Sequence, residues 1–163
     1  MPTHKISLLT GFILLNIFVS ITILSCEKDS CKNVSCKNGG SCADGTCSCA
    51  TGYKGILCEE LERDAFLGSY QGNSGGSTYT LTINPGISDI DFKINNFNNW
   101  GIATGYWTNS GCTIPEQSLG GGVIVKNGAI SKTGNNIQIN YQEFYSGTGG
   151  GTWLSKTFNG VKL

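Results

Sequence analysis

Seven of the eight cysteines fall between Cys26 and Cys58, and six of them, Cys31, Cys36, Cys42, Cys47, Cys49 and Cys58, share 28 residues. Thiols at this density form disulfides in an oxidising compartment or hold metal in a reducing one. Six cysteines allow 15 pairings, and spacing alone does not choose among them. A second reactive pattern is the acidic pair Asp89 and Asp91. Placed i, i+2 on a strand, the two carboxyls stand roughly 6–7 Å apart on one face. Glycoside hydrolysis uses two carboxyls about 5–9.5 Å apart. The pair lies opposite Ile90, Phe92 and Ile94, however, so two solvated acids beside Lys93 are the plainer reading. Glu116 and Glu143 are the other carboxylates of this half. A third pattern is FNNWGIATGYW, in which Trp100, Tyr106 and Trp107 stand among Asn98, Asn99 and further asparagines. Flat rings stack on sugar faces, and Asn amides both donate to and accept from hydroxyls, so this mixture suits a glycan platform. Aromatics on strands also fill cores. Alternation lets at most one of Tyr106 and Trp107 face outward.

The N-terminus bears on which compartment applies. Lys5 precedes a mainly apolar stretch of 19 residues, Ile6–Leu24, the layout of an export signal and also long enough for an uncleaved span. Ile23-Leu24-Ser25-Cys26 resembles a bacterial lipobox, with Leu24 where a smaller residue is usual. The resemblance implies cleavage before Cys26 and acylation of that cysteine. At about 0.8 kcal/mol per buried methylene, two or three acyl chains hold a protein on a membrane almost permanently. The following Glu27-Lys28-Asp29-Ser30 resembles the surface-export signal of Bacteroidota lipoproteins, which implies the outer membrane and exposure at the cell surface. The expected partner is thus the membrane, through the lipid, with a glycan or protein ligand beyond it.

Export makes the cysteine cluster a set of three disulfides. The spacing C-x4-C-x5-C-x4-C-x-C-x8-C, with Asn38-Gly39-Gly40 before the third cysteine and Gly52-Tyr53 and Gly55 before the last, resembles an EGF-like module. The resemblance implies the pairs Cys31–Cys42, Cys36–Cys47 and Cys49–Cys58. Calcium is not expected: Cys42-Ala-Asp-Gly-Thr-Cys47 lacks the aromatic of the calcium-binding subclass, and Asp29 alone is a thin set for a cation wanting six or more oxygens.

Composition narrows the rest. Eleven basic and eleven acidic residues leave no surplus to neutralise phosphates, which excludes nucleic acid as an expected partner. The single histidine, His4, lies in the export signal, so a cleaved chain has no Ser-His or Cys-His pair and no histidine-ligated metal. No cofactor or metal is expected. Cys112 lacks a histidine to activate it and reads as a small buried side chain or a bridge between chains.

These features need a scaffold. Twenty-four glycines and three prolines suit short strands and tight turns. From Phe66 onward apolar residues recur with period 2: Tyr79, Leu81, Ile83; Ile90, Phe92, Ile94; Ile137, Ile139, Tyr141. Parity slips at Glu143-Phe144, the mark of a bulge or a strand end. Asn127-Gly128, between VIVK and AIS, is the strongest hairpin signal. The expected protein is mainly β: signal 1–25, tether 26–30, EGF-like module 31–58, charged linker 59–65, and an antiparallel barrel or sandwich of seven or eight strands over 66–163. Phe66-Leu67-Gly68-Ser69-Tyr70 resembles the Gly-x-Trp opening of lipocalin-like barrels, with Tyr70 in place of the tryptophan. The function expected is non-catalytic binding or adhesion outside the cytoplasm, with a carrier of a small apolar ligand and a carboxylate-dependent glycosidase as alternatives.

Overall fold

The computed structural model describes residues 29–146 and 151–163; the expected signal 1–25, the expected lipidation site Cys26 and residues 147–150 lie outside them. The N-terminal part is two small hairpins. Strands β1 (Ser41–Ala43) and β2 (Thr46–Ser48) pair across Asp44-Gly45, both at positive φ, the geometry of a tight hairpin turn. Strands β3 (Tyr53–Lys54) and β4 (Glu60–Leu61) form the second pair. Three disulfides, Cys31–Cys42, Cys36–Cys47 and Cys49–Cys58, close loops of 11, 11 and 9 residues, the pairing that the EGF-like resemblance implies. Only Gly52 and Cys58 are buried between residues 31 and 58. Cross-links therefore supply what an apolar core supplies elsewhere.

The charged run between the two parts has structure of its own. Glu60 and Leu61 pair with β3, and Glu62–Phe66 is a 3-10 turn. Arg63 reaches from it under the turn at residues 86–91, where its guanidinium donates to the carbonyls of Ser88 and Asp91. The Tyr53 hydroxyl donates to Asp89 at 2.5 Å, and Gly52 lies against Ile90. These contacts fasten the small hairpins to the larger domain. An Arg63→Ala chain loses a charged donor to two carbonyls, a cost of about 1–2 kcal/mol. The expected result is a lower urea midpoint with unchanged slope; an unmoved midpoint would show the strap to be idle.

The larger domain is one nine-stranded antiparallel sheet: β5 (Gly68–Ser74), β6 (Ser77–Pro85), β7 (Asp91–Phe97), β8 (Gly101–Thr108), β9 (Gly111–Thr113), β10 (Gln117–Gly120), β11 (Val123–Thr133), β12 (Asn136–Tyr145) and β13 (Leu154–Lys162). The spatial order β10-β11-β12-β13-β5-β6-β7-β8-β9 joins two meanders through the β13–β5 pair. The sheet has more strands than the expected seven or eight because β9 and β10, of three and four residues, are too short to display alternation. Inward parity runs as the pattern requires, burying Tyr79, Leu81 and Ile83 on β6 and Ile137, Ile139 and Tyr141 on β12. Phe92 and Trp107 meet edge to face with centroids 5.5 Å apart, and Phe97 meets Tyr141 at 4.7 Å. Such side chains cover the inward face of the sheet.

The sheet curls until its ends meet. Ile114, just past β9, exchanges both backbone hydrogen bonds with Gly128 of β11, at 2.8 and 3.0 Å. The Gln117 side-chain amide accepts from the Thr104 N–H and donates to its carbonyl, pairing β10 to β8 as a strand neighbour would. This closure corrects the expected hairpin at Asn127-Gly128. Strand β11 runs straight through those residues, which form a bulge with Asn127 at φ +51. A Cβ on Gly128 would sit 2.5 Å from the Ile114 Cβ, so the glycine serves close approach and not chain reversal. The real reversal is the two-residue turn Gly134-Asn135, with Gly134 at φ +59. Near the expected slip at Glu143-Phe144, pairing with β13 ends at Glu143 and β12 itself at Tyr145, while Glu143 keeps the inward position.

Candidate functional site

One end of the curled sheet holds the only pair of buried polar residues among those described, Ser74 and Glu143. Strand β12 carries Glu143 inward two residues beyond Tyr141, so the carboxylate is 1% exposed. A buried carboxylate needs partners that replace water. Lys156 on β13 supplies one, its Nζ 3.2 Å from Oε1. The Asn98 side chain supplies another, donating to Oε2. The Asn98 carbonyl oxygen accepts in turn from the Tyr141 hydroxyl at 2.8 Å, and Tyr141 meets Ser74 Oγ at 3.3 Å. The donors thus line up from Ser74 through Tyr141 and Asn98 to the carboxylate.

Above this network is a recess of about 200 Å³ lined by Ser77, Tyr79, Asn99, Trp100 and Tyr145 together with Ser74, Asn98, Glu143 and Lys156 of the network. Tyr79 is 7% exposed, and its hydroxyl makes no hydrogen bond. Burial pushes its pKa up to about 12, against a smaller lowering by the neighbouring Tyr141 and Ser74 hydroxyls and the Asn98 backbone. Burial also raises Tyr141. Both phenols are neutral at physiological pH.

The β7–β8 turn places the rim. Asn96, Asn98 and Asn99 all have φ between +55 and +56, a conformation Asn tolerates better than other residues with a Cβ. Part of the asparagine richness is thus turn chemistry. Asn96 pins the turn by donating to the Thr80 carbonyl at 2.7 Å. Trp100 is 56% exposed, and its indole N–H donates to the Gly120 carbonyl at 3.0 Å. Gly121, at φ +57, lies so close to the indole that a Cβ there would come within 2.4 Å. The ring is therefore held in one place.

The structure divides the expected platform. Asn98, Asn99 and Trp100 belong to the recess. Trp107 does not: at 4% exposure it packs on Phe66 and Phe92 in the core. Tyr106 is 40% exposed on the outer face of β8 and lines a separate recess of about 270 Å³ with Ile87, Lys93 and Thr104. Neighbours on a strand point to opposite faces, so Tyr106 and Trp107 were never able to share a surface. The acidic pair is corrected as well. Asp89 lies in the turn before β7, occupied by Tyr53, and the Asp91 carboxylate accepts the Ser88 N–H at 3.1 Å. The strand spacing assumed for a glycosidase pair does not hold. Sequence reasoning passed over Glu143, Tyr79, Ser74 and Lys156. Glu143 had one usable signal, its inward parity with Ile137, Ile139 and Tyr141.

Cys112 is a free thiol buried in the core, with its pKa pushed up to about 12 by burial. Only about one thiol in 10⁴ is then ionised at pH 8. Iodoacetamide at that pH is expected to leave the native protein unlabelled and to add one group in denaturant; fast native labelling would place the thiol at the surface. Among the described residues no three His, Cys, Asp or Glu side chains gather to hold a metal ion. Set beside protein-family models, curated proteins and solved structures, the chain matches none.

Proposed function

We propose that this is a lipid-anchored, non-catalytic binding protein of the bacterial outer membrane, displayed at the surface, with Cys26 as its acylated residue. Residues 31–58 act as an EGF-like spacer held stiffly against the β domain, and the recess at Trp100 is the seat for a neutral glycan. The three disulfides support the exported location, since such bridges persist in oxidising compartments. The observation that carries the ligand class is the pairing of a fixed, half-exposed indole with buried groups that both donate and accept hydrogen bonds. The charges inside the seat, Glu143 and Lys156, already neutralise each other, which favours an uncharged ligand.

Glycan-array binding of the β domain within the whole chain, with Trp100→Ala as control, tests this. Stacking on a ring contributes about 0.5–1.5 kcal/mol beyond its area. The substitution is expected to weaken binding about tenfold and leave folding intact. An array without any hit ends the glycan reading. Mass spectrometry of the mature N-terminus is expected to show a diacylglycerol-bearing Cys26; an intact, unmodified start removes the anchor.

A further inference from the structure

An amine, a carboxylate and a carboxamide meet at the buried ion pair, and together they have the parts of a reaction between side chains. We propose that Lys156 and Asn98 join through an isopeptide bond, with Glu143 carrying the protons. The three residues come from separate places: Asn98 from the β7–β8 turn, Glu143 from β12 and Lys156 from β13. Lys156 Nζ is 3.2 Å from Oε1 of Glu143, and the Asn98 amide donates to Oε2. The two oxygens of one carboxylate thus hold amine and amide side by side. All three residues border the same recess, which gives the lysine head a path to the amide. Its flexible four-carbon stem, on a side chain 29% exposed, allows the short swing from Oε1 to the amide carbon.

An ammonium is no nucleophile and an amide is a poor electrophile, so both need activation. The Tyr141 hydroxyl donates to the Asn98 carbonyl oxygen at 2.8 Å, where it draws charge from Cγ and meets the oxyanion that attack creates. Glu143, 1% exposed, touches both reactants and serves as base to one and acid to the other. It first takes a proton from the Lys156 ammonium. The freed amine attacks Cγ, the new C–N bond forms and the Cγ–Nδ2 bond breaks. A second proton passes from the attacking nitrogen, by way of the carboxyl, to the departing nitrogen, which leaves as ammonia. Glu143 ends with the proton it took first. The site then holds no ionised group, which removes the cost of keeping an ion pair from water. The reaction happens once and alters only the chain itself. Newly folded chain carries the ion pair, and the bond accumulates with time. It ties the β7–β8 turn to β13, a strand that is no neighbour of β7 or β8 in the sheet.

Intact-mass measurement and peptide mapping of the mature chain, kept folded at neutral pH, test this. A chain lighter by one ammonia is expected, with a branched peptide joining the Asn98 segment to the Lys156 segment. Lys156→Arg keeps a cation beside Glu143 and forms no such amide; Glu143→Gln keeps both reactants and lacks the proton carrier. Both variants are expected to keep full mass while showing the strand resonances of β5–β13. Wild-type chain held in urea from the start is expected to stay unjoined, since only the fold brings the residues together. Folded wild-type chain of full mass, with separate Asn98 and Lys156 peptides, overturns the proposal. Loss of ammonia without the branched peptide also overturns it, because that marks imide formation at an asparagine alone. An equal yield of branched peptide from Glu143→Gln overturns the role given to the carboxylate.

Discussion

Reducing the three disulfides will unfold residues 31–58 and leave the β domain folded. The two parts are stabilised by different physics. By loop entropy each bridge, closing about ten residues, contributes about 3 kcal/mol. The segment has almost no buried apolar surface to offset their loss, whereas every residue of the main core cluster lies between Tyr70 and Phe158. The contacts of Tyr53 with Asp89 and of Gly52 with Ile90 then dissolve on the hairpin side only. Amide spectra under reductant are expected to lose dispersion for residues 31–58 and to keep the strand resonances of β5–β13. Collapse of both sets together would mean that the hairpins help hold the sheet closed.

The second large effect concerns the buried ion pair, and it is asymmetric. Lys156→Met strands the Glu143 carboxylate, which keeps only Asn98 as a donor in a place water barely reaches. Removing one partner of a buried pair typically costs 3–5 kcal/mol. Glu143→Gln keeps an acceptor for Asn98 and frees a lysine side chain that is 29% exposed and can turn to solvent, so a cost of about 1–2 kcal/mol is expected. The double variant should therefore be more stable than Lys156→Met alone. Urea unfolding of the four proteins measures this as a double-mutant cycle. Equal costs for the two single changes would show that the carboxylate is better solvated than its burial implies.

How far the residue string discloses this molecule follows from what each signal measures. Period-2 alternation reports burial on a sheet face, and it places Tyr79, Leu81, Ile83, Ile137 and Ile139 correctly. It also separates Tyr106 from Trp107 without saying which turns outward. It fails at Glu143 because a charged residue on the inward face looks like a lost register. Only the third dimension reveals Lys156 and Asn98 waiting there. Asn127-Gly128 misleads for a related reason. The pair is suited to positive φ wherever that is needed, and here the need comes from Ile114, a contact between the two ends of the sheet that no local pattern encodes. The asparagines of the β7–β8 turn carry two messages at once, left-handed backbone and side-chain amides that bond to Thr80, Glu143 and Tyr141, and the sequence does not divide them.

The direct test of the seat is an amide and indole proton–nitrogen spectrum of the labelled mature protein, titrated with its strongest-binding neutral glycan. The indole N–H of Trp100 and the side-chain amides of Asn98 and Asn99 are expected to shift first and furthest. Shifts confined to Tyr106 and Ile87, or to residues 31–58, with the Trp100 indole unmoved, would contradict the account.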